Sequence, residues 1–152
     1  MKSYTVHVDI ALPRDRVLEL FDSTENLFKW QQGLQSFEHL SGEAGKEGAT
    51  SKLVYKNGKQ TIELTETIMR RDLPEAFDGT YAWKGGMNTL ENRFIELGPD
   101  STRWESTCSY QLSHPMLKIM GALFPGMFRK QNQKFLDAFK AFAEDGKDVR
   151  EG

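Results

Sequence analysis

The sequence predicts an α+β fold in which a seven-stranded antiparallel sheet curves around one long C-terminal helix, with two short helices between strands 1 and 2. Three observations carry this. Residues 4–10 alternate apolar and polar, residues 34–112 hold only short alternating runs cut by turn signals, and residues 115–144 keep a helical period. At 152 residues the chain suits one domain, 1–145, followed by a polar tail, 146–152. That length buries a core without help from disulfides or metal.

In the first strand Tyr4, Val6, Val8 and Ile10 alternate with Thr5, His7 and Asp9, the pattern of a half-buried strand. Pro13 suits the first turn of a helix, where its missing N–H costs nothing, and Val17, Leu18 and Phe21 give that helix an apolar side. A second short helix lies in "DSTENLFKW": Asp22 with Glu25 three positions on has capping-box spacing, and Leu27, Phe28 and Trp30 supply burial.

Five turn signals then divide residues 34–112 into six strands: "SGEAGKEG", Asn57-Gly58, "RDLPEA", Gly85-Gly86 and "GPDS". Turn length fixes register. A two-residue Asn57-Gly58 loop sets Tyr55 opposite Gln60, Leu53 opposite Ile62, Ser51 opposite Leu64 and Ala49 opposite Glu66. A Gly85-Gly86 loop sets Trp83 opposite Asn88, Tyr81 opposite Leu90, Gly79 opposite Asn92 and Phe77 opposite Phe94. A four-residue "DLPE" loop sets Ile68 opposite Gly79 and Glu66 opposite Tyr81. The last strand turns Trp104, Cys108 and Tyr110 inward, and Arg93 and Glu105 are expected to pair on the outer face.

Pro115 opens the final helical tract, which Pro125-Gly126 breaks because proline lacks the needed donor. Beyond the break Phe128, Asn132, Phe135, Leu136, Phe139 and Phe142 recur at spacings of three and four, an apolar face that must bury against the sheet. Met116, Met120 and Met127 flank the break, and unbranched methionine adapts to varied shapes, so residues 116–128 read as a movable lid. The remaining "EDGKDVREG" is polar and is expected to fray.

Composition excludes several classes. With 28% charged residues and a formal charge of −2, the chain has no broad attraction for phosphates, and no nucleic acid partner is expected. Cys108 is the single cysteine and "MKSYTVHVDI" lacks a signal peptide's apolar core, so a cytoplasmic location is expected. Residues 116–128 are too short to span a bilayer and include Lys118, so membrane insertion is not expected. Gly42, Gly45 and Gly48 lack the spacing of a phosphate-binding loop, and His7, His39 and His114 lie on separate elements, so neither cofactor nor metal is expected. No G-x-S-x-G or H-E-x-x-H motif is present, and inward-facing Cys108 reads as a small buried hydrophobe.

The one chemical anomaly is in "QTIELTETIM". With a period of two, Glu66 shares a face with Ile62, Leu64 and Ile68. A carboxyl facing an apolar cavity is held partly protonated by desolvation, as a general acid or base is tuned. Glu66 has three readings: it orients a polar group of a ligand, it transfers protons, or it is a structural partner of Tyr81 or Arg70.

The order of elements, together with "VDIALPRDRVLELFDSTENLFKW", "SGEAGKEGATSKLVY", the "ETI" strand, "GPDSTRWESTCSY" and the closing helix, resembles the START-like (SRPBCC) superfamily, with its helix-grip fold and its polyketide cyclase/dehydrase-like members. The resemblance covers nearly the whole chain but brings no catalytic motif. It implies a deep cavity between sheet and C-terminal helix that holds a small hydrophobic molecule, lipid-, polyketide- or aromatic-like. The candidate lining is aromatic at Tyr55, Tyr81, Trp83, Trp104, Tyr110, Phe124, Phe128 and Phe135, with Met120 beside it. Glu66, Asn88 and Asn92 are the candidate polar groups. Two alternatives stand beside ligand binding: a cyclase/dehydrase-like or hydrolytic enzyme using Glu66 as acid or base, and a chaperone-associated interaction module. A homodimer through the outer sheet face remains open, although Thr61, Glu63, Thr65 and Thr67 make part of that face polar.

Overall fold

The computed structural model describes residues 2–123 and 126–151. Its strands are β1 (Lys2–Ile10), β2 (Leu34–Ser41), β3 (Thr50–Asn57), β4 (Gln60–Asp72), β5 (Ala76–Trp83), β6 (Gly86–Gly98) and β7 (Ser101–Leu112). Its helices are α1 (Arg14–Phe21), α2 (Thr24–Trp30), α3 (Pro115–Leu123) and α4 (Met127–Asp145). The strands form one antiparallel sheet in the order β1-β7-β6-β5-β4-β3-β2. β1 pairs with β7, so the first and last strands adjoin and only β1 and β2 form the edges. The α+β order, the seven strands and the long C-terminal helix are those the sequence predicts.

Alternation does what it predicts in the adjoining strands β1 and β7. Val6, Val8 and Ile10 of β1 are buried, as are Trp104, Cys108 and Tyr110 of β7, with Thr102 and Ser106 in the same inward phase. α4 lies across this face and buries Leu136 and Phe139, the latter completely. Phe139 packs within an aromatic cluster: its ring lies 5.2 Å from Trp30 and 5.2 Å from Trp104, while Phe21 stands 4.9 Å from Phe94. Full burial of one such ring is worth about 1.5–3 kcal/mol. The cluster therefore anchors α1, α2 and α4 to β6 and β7.

Both tight hairpins differ from the expected register by two residues. Asn57 pairs with Gln60, so the loop is Gly58-Lys59; Tyr55 then faces Ile62, Leu53 faces Leu64 and Ser51 faces Glu66. Gly58 has φ +63, a conformation L side chains resist, so the turn forms around the glycine and Asn57 stays in the ladder. Likewise Trp83 pairs with Gly86, leaving Lys84-Gly85 as the loop, with Tyr81 facing Asn88, Gly79 facing Leu90 and Phe77 facing Asn92. Gly86 belongs in the ladder because its backbone lies against the Gln111 carbonyl, where no Cβ fits. An even shift keeps every side chain on its expected face.

The β4–β5 hairpin has the expected pairs, Glu66 with Tyr81 and Ile68 with Gly79. A bulge between Ile68 and Arg70 then changes the phase, and Asp72 pairs with Ala76 around a three-residue loop. Arg70 is consequently exposed and paired with Asp72 at 3.3 Å, not with Glu66. Arg71 turns inward instead and binds Asp22 through two N–H donors at 2.9 and 2.5 Å.

Other local expectations are corrected. Asp22 does not cap α2; Ser23 does, its hydroxyl accepting from the Asn26 N–H at 3.2 Å. Arg93 pairs with Asp78 at 2.6 Å although Glu105 is its β7 neighbour. The C-terminal segment is tied down: Gly146 caps α4 with φ +69, and the Val149 N–H donates to the Lys29 carbonyl at 2.9 Å. Helices α3 and α4 meet at the expected break; Phe124 and Pro125 lie outside the described residues.

Candidate functional site

Between the concave sheet face and α4 lies a cavity of about 630 Å³. It exists because the apolar face of α4 touches the sheet mainly near β1 and β7, where the aromatic cluster fills the space, while β3, β4 and β5 stand away from it. The cluster closes one end of the cavity, and Trp104 forms part of that floor at 4% exposure.

The walls follow from the ladder. Leu53, Ile62, Leu64, Ile68 and Leu90 supply aliphatic surface from β3, β4 and β6. Phe128 and Phe135 face them from α4. Tyr55 stacks obliquely on Phe135 at 6.4 Å, and its hydroxyl donates to Gln31 Oε1 at 2.5 Å. Burial pushes the Tyr55 phenol well above its ordinary value, with the charge of Glu66 adding to the effect.

One row of this wall is polar. Ser51 of β3 faces Glu66 of β4, Glu66 faces Tyr81 of β5, and Tyr81 faces Asn88 of β6. Strand pairing alone lines these four side chains across the cavity. Burial raises the proton affinity of Glu66, and the Tyr81 hydroxyl beside it offsets part of that rise. Tyr81 is shifted far upward by burial, then by the adjacent Glu66 charge. Among the described residues, Asn88 Oδ1 and Trp30 Nε1 are the buried side-chain polar atoms without a hydrogen-bond partner.

Nine of the expected residues stand on the cavity wall: Tyr55, Glu66, Tyr81, Trp83, Asn88 and Asn92, with Trp104, Phe128 and Phe135. Asn92 is committed elsewhere. Its Nδ2 donates to the Phe77 carbonyl at 3.0 Å and its Oδ1 accepts from Trp104 Nε1 at 3.0 Å, so it positions the tryptophan. Tyr110 is set apart from the cavity, packed between Tyr4 at 6.1 Å and Phe128 at 4.9 Å. Met120 is 37% exposed and Met116 64% exposed; Leu117 is the α3 side chain that lines the cavity, with Met127 from α4. Phe124 lies outside the described residues.

Sequence reasoning missed the polar groups at the mouth. Gln31, Asp22 and Arg71 line it, brought there by the turn after α1, the end of α2 and the β4 bulge. Arg71 also lies 5.8 Å from the Phe77 ring. A bulge has no reliable sequence signal, so nothing in "IMRRD" separates Arg70 from Arg71. Cys108 is buried off the cavity wall, and desolvation pushes its thiol upward, which suits an inert packing residue.

No family model matches the chain, and no curated relative does. Solved structures do. The Zhui aromatase/cyclase from Streptomyces sp. R1128 superposes with a TM-score of 0.75 at 13% identity, covering 93% of this chain and 93% of that one. A truncated norcoclaurine synthase from Thalictrum flavum gives 0.70 at 15% identity, covering 95% and 94%. A START superfamily protein from Mycobacterium smegmatis gives 0.66 at 12% identity, covering 89% and 97%. The chain has the helix-grip fold of START-like proteins. At such identities the likeness concerns architecture alone.

Proposed function

We propose that the protein encloses a small, largely apolar molecule between its sheet and α4, and orients it by a polar group set on the row Ser51, Glu66, Tyr81 and Asn88. The observation that carries this is that row, crossing a largely apolar cavity of about 630 Å³. Cavities of roughly 300–1,000 Å³ with a few convergent polar groups are typical small-molecule sites. Burial of apolar surface drives binding, and the row gives orientation because a misplaced polar group there loses its water without gaining a partner. Native mass spectrometry of the purified protein, followed by displacement of an apolar fluorescent dye, tests the reading. A protein that takes up neither an extracted lipophile nor the dye excludes it.

Glu66 favours a second reading, proton transfer on the bound molecule. Its raised proton affinity and position beside Tyr81 are what an acid or base needs, and two of the architectural neighbours carry enzyme names, aromatase/cyclase and norcoclaurine synthase. Turnover of a polyketide-like substrate that survives Glu66→Gln unchanged removes Glu66 from that role.

A further inference from the structure

Helix α3 presents a face that no described residue covers. Met116, Ile119, Met120 and Leu123 are 64%, 60%, 37% and 67% exposed. Their spacing is that of a single helical face. The other side of the helix carries Leu117, which lines the cavity, and Gly121, buried beside Leu112. α3 is thus the wall between the cavity and this exposed apolar stripe.

The exposed charges on α3, at the start of α4 and at the two turns on this end of the sheet are of one sign. Lys118 stands on α3, Arg129 and Lys130 on the first turn of α4, Lys84 in the β5–β6 turn, Lys59 in the β3–β4 turn and Lys56 near the end of β3 before it. All six are exposed, and among the described residues none enters an ion pair. The Lys84-Gly85 turn lies directly against α3: a side chain at Gly85 would run into Leu117, and the Ser113 N–H donates to the Gly85 carbonyl at 2.9 Å. The β3–β4 turn is at the same end of the antiparallel sheet. Residues 53–62, 80–90 and 109–130, which form the two turns, the end of β7, α3 and the start of α4, contain no Asp or Glu, although the whole chain has a net charge of −2.

We propose that this end of the molecule docks on the surface of an anionic lipid bilayer. α3 lies in the plane of the interface, its four exposed apolar side chains reach the acyl boundary, and the surrounding lysines and Arg129 meet the headgroups. A rim free of carboxylates across three separate chain segments matches a continuous sheet of negative charge. A protein surface, with its mixed signs, makes no such demand. The inference goes beyond the cavity reading and is measured without any cavity ligand.

Vesicle flotation tests it, using phosphatidylcholine alone and phosphatidylcholine with about 30% phosphatidylglycerol, each at about 0.1 M and about 0.5 M salt. The chain is expected to float with the anionic vesicles only and to lose most binding at the higher salt. The paired exposed changes Ile119→Glu and Leu123→Glu abolish flotation without altering thermal unfolding. Lys118→Gln with Lys130→Gln weakens it by more than about tenfold. Equal flotation with both vesicle types, none with either, or indifference to Ile119→Glu with Leu123→Glu overturns the proposal. So does a dimer in sedimentation that fails to float and that the same paired change makes monomeric, because the stripe is then a protein contact. Dye uptake by the cavity is read separately, so either reading can fail alone.

Discussion

Glu66 and Tyr81 are cross-strand partners on the concave face, a carboxyl set against a phenol in the wall of an apolar cavity. The pairing has a consequence for stability against pH. Burial raises the Glu66 proton affinity in the folded chain above its ordinary value of 4.5. The stabilisation due to the protonated carboxyl is fully present below the unfolded value and is lost as pH rises through the raised folded value. Glu66→Gln removes that loss. Thermal unfolding between about pH 4 and about pH 8 should show the variant gaining on the wild type as pH rises. A constant difference across that range would contradict the burial effect.

Phe139 is completely buried among Trp30, Trp104 and Phe142. Phe139→Ala leaves a void that the surrounding rings cannot collapse into, and should destabilise by about 3–5 kcal/mol in urea unfolding.

Asn92 bridges the Phe77 carbonyl and the Trp104 indole. Asn92→Ala strands the buried indole N–H, so a loss of about 2 kcal/mol is expected. Dye affinity per folded molecule should change little. A large affinity loss at unchanged stability would make Asn92 a ligand contact instead.

Leu64 lines the cavity, flanked along β4 by Ile62 and Glu66 on the same face. Leu64→Trp pushes an indole into open space, so stability should move by less than about 1.5 kcal/mol. Dye affinity should fall by about tenfold or more, corresponding to about 1.4 kcal/mol. Unchanged affinity would place the dye elsewhere.

Arg71 and Asp22 clasp β4 to the turn between α1 and α2 at the cavity mouth. Their side chains are 26% and 42% exposed, so solvent screens the pair. A double-mutant cycle with Arg71→Ala and Asp22→Ala should give a coupling of about 0.5–1 kcal/mol, shrinking as salt rises.

The sequence by itself determined which elements form, in what order, and which face each strand buries. Those properties are periodic and local: the alternation around Val6 and Val8, the recurrence of Phe135 and Phe139, and the prolines at 13 and 115. Face assignments survived a two-residue error in both hairpins because an even shift leaves the pleat unchanged. Only the tertiary structure decided the partners. Glu66 faces Ser51 because Gly58 alone takes the positive φ of its turn, and Arg71 reaches the cavity mouth because a bulge changes phase beyond Ile68. Whether an inward aromatic fills the core or lines a space was likewise not local. Trp104 is fixed by rings from α1, α2, β6 and α4, elements far apart in sequence, whereas Tyr81 faces the gap those rings leave. A cavity is the volume that packing does not occupy, and no single segment encodes it.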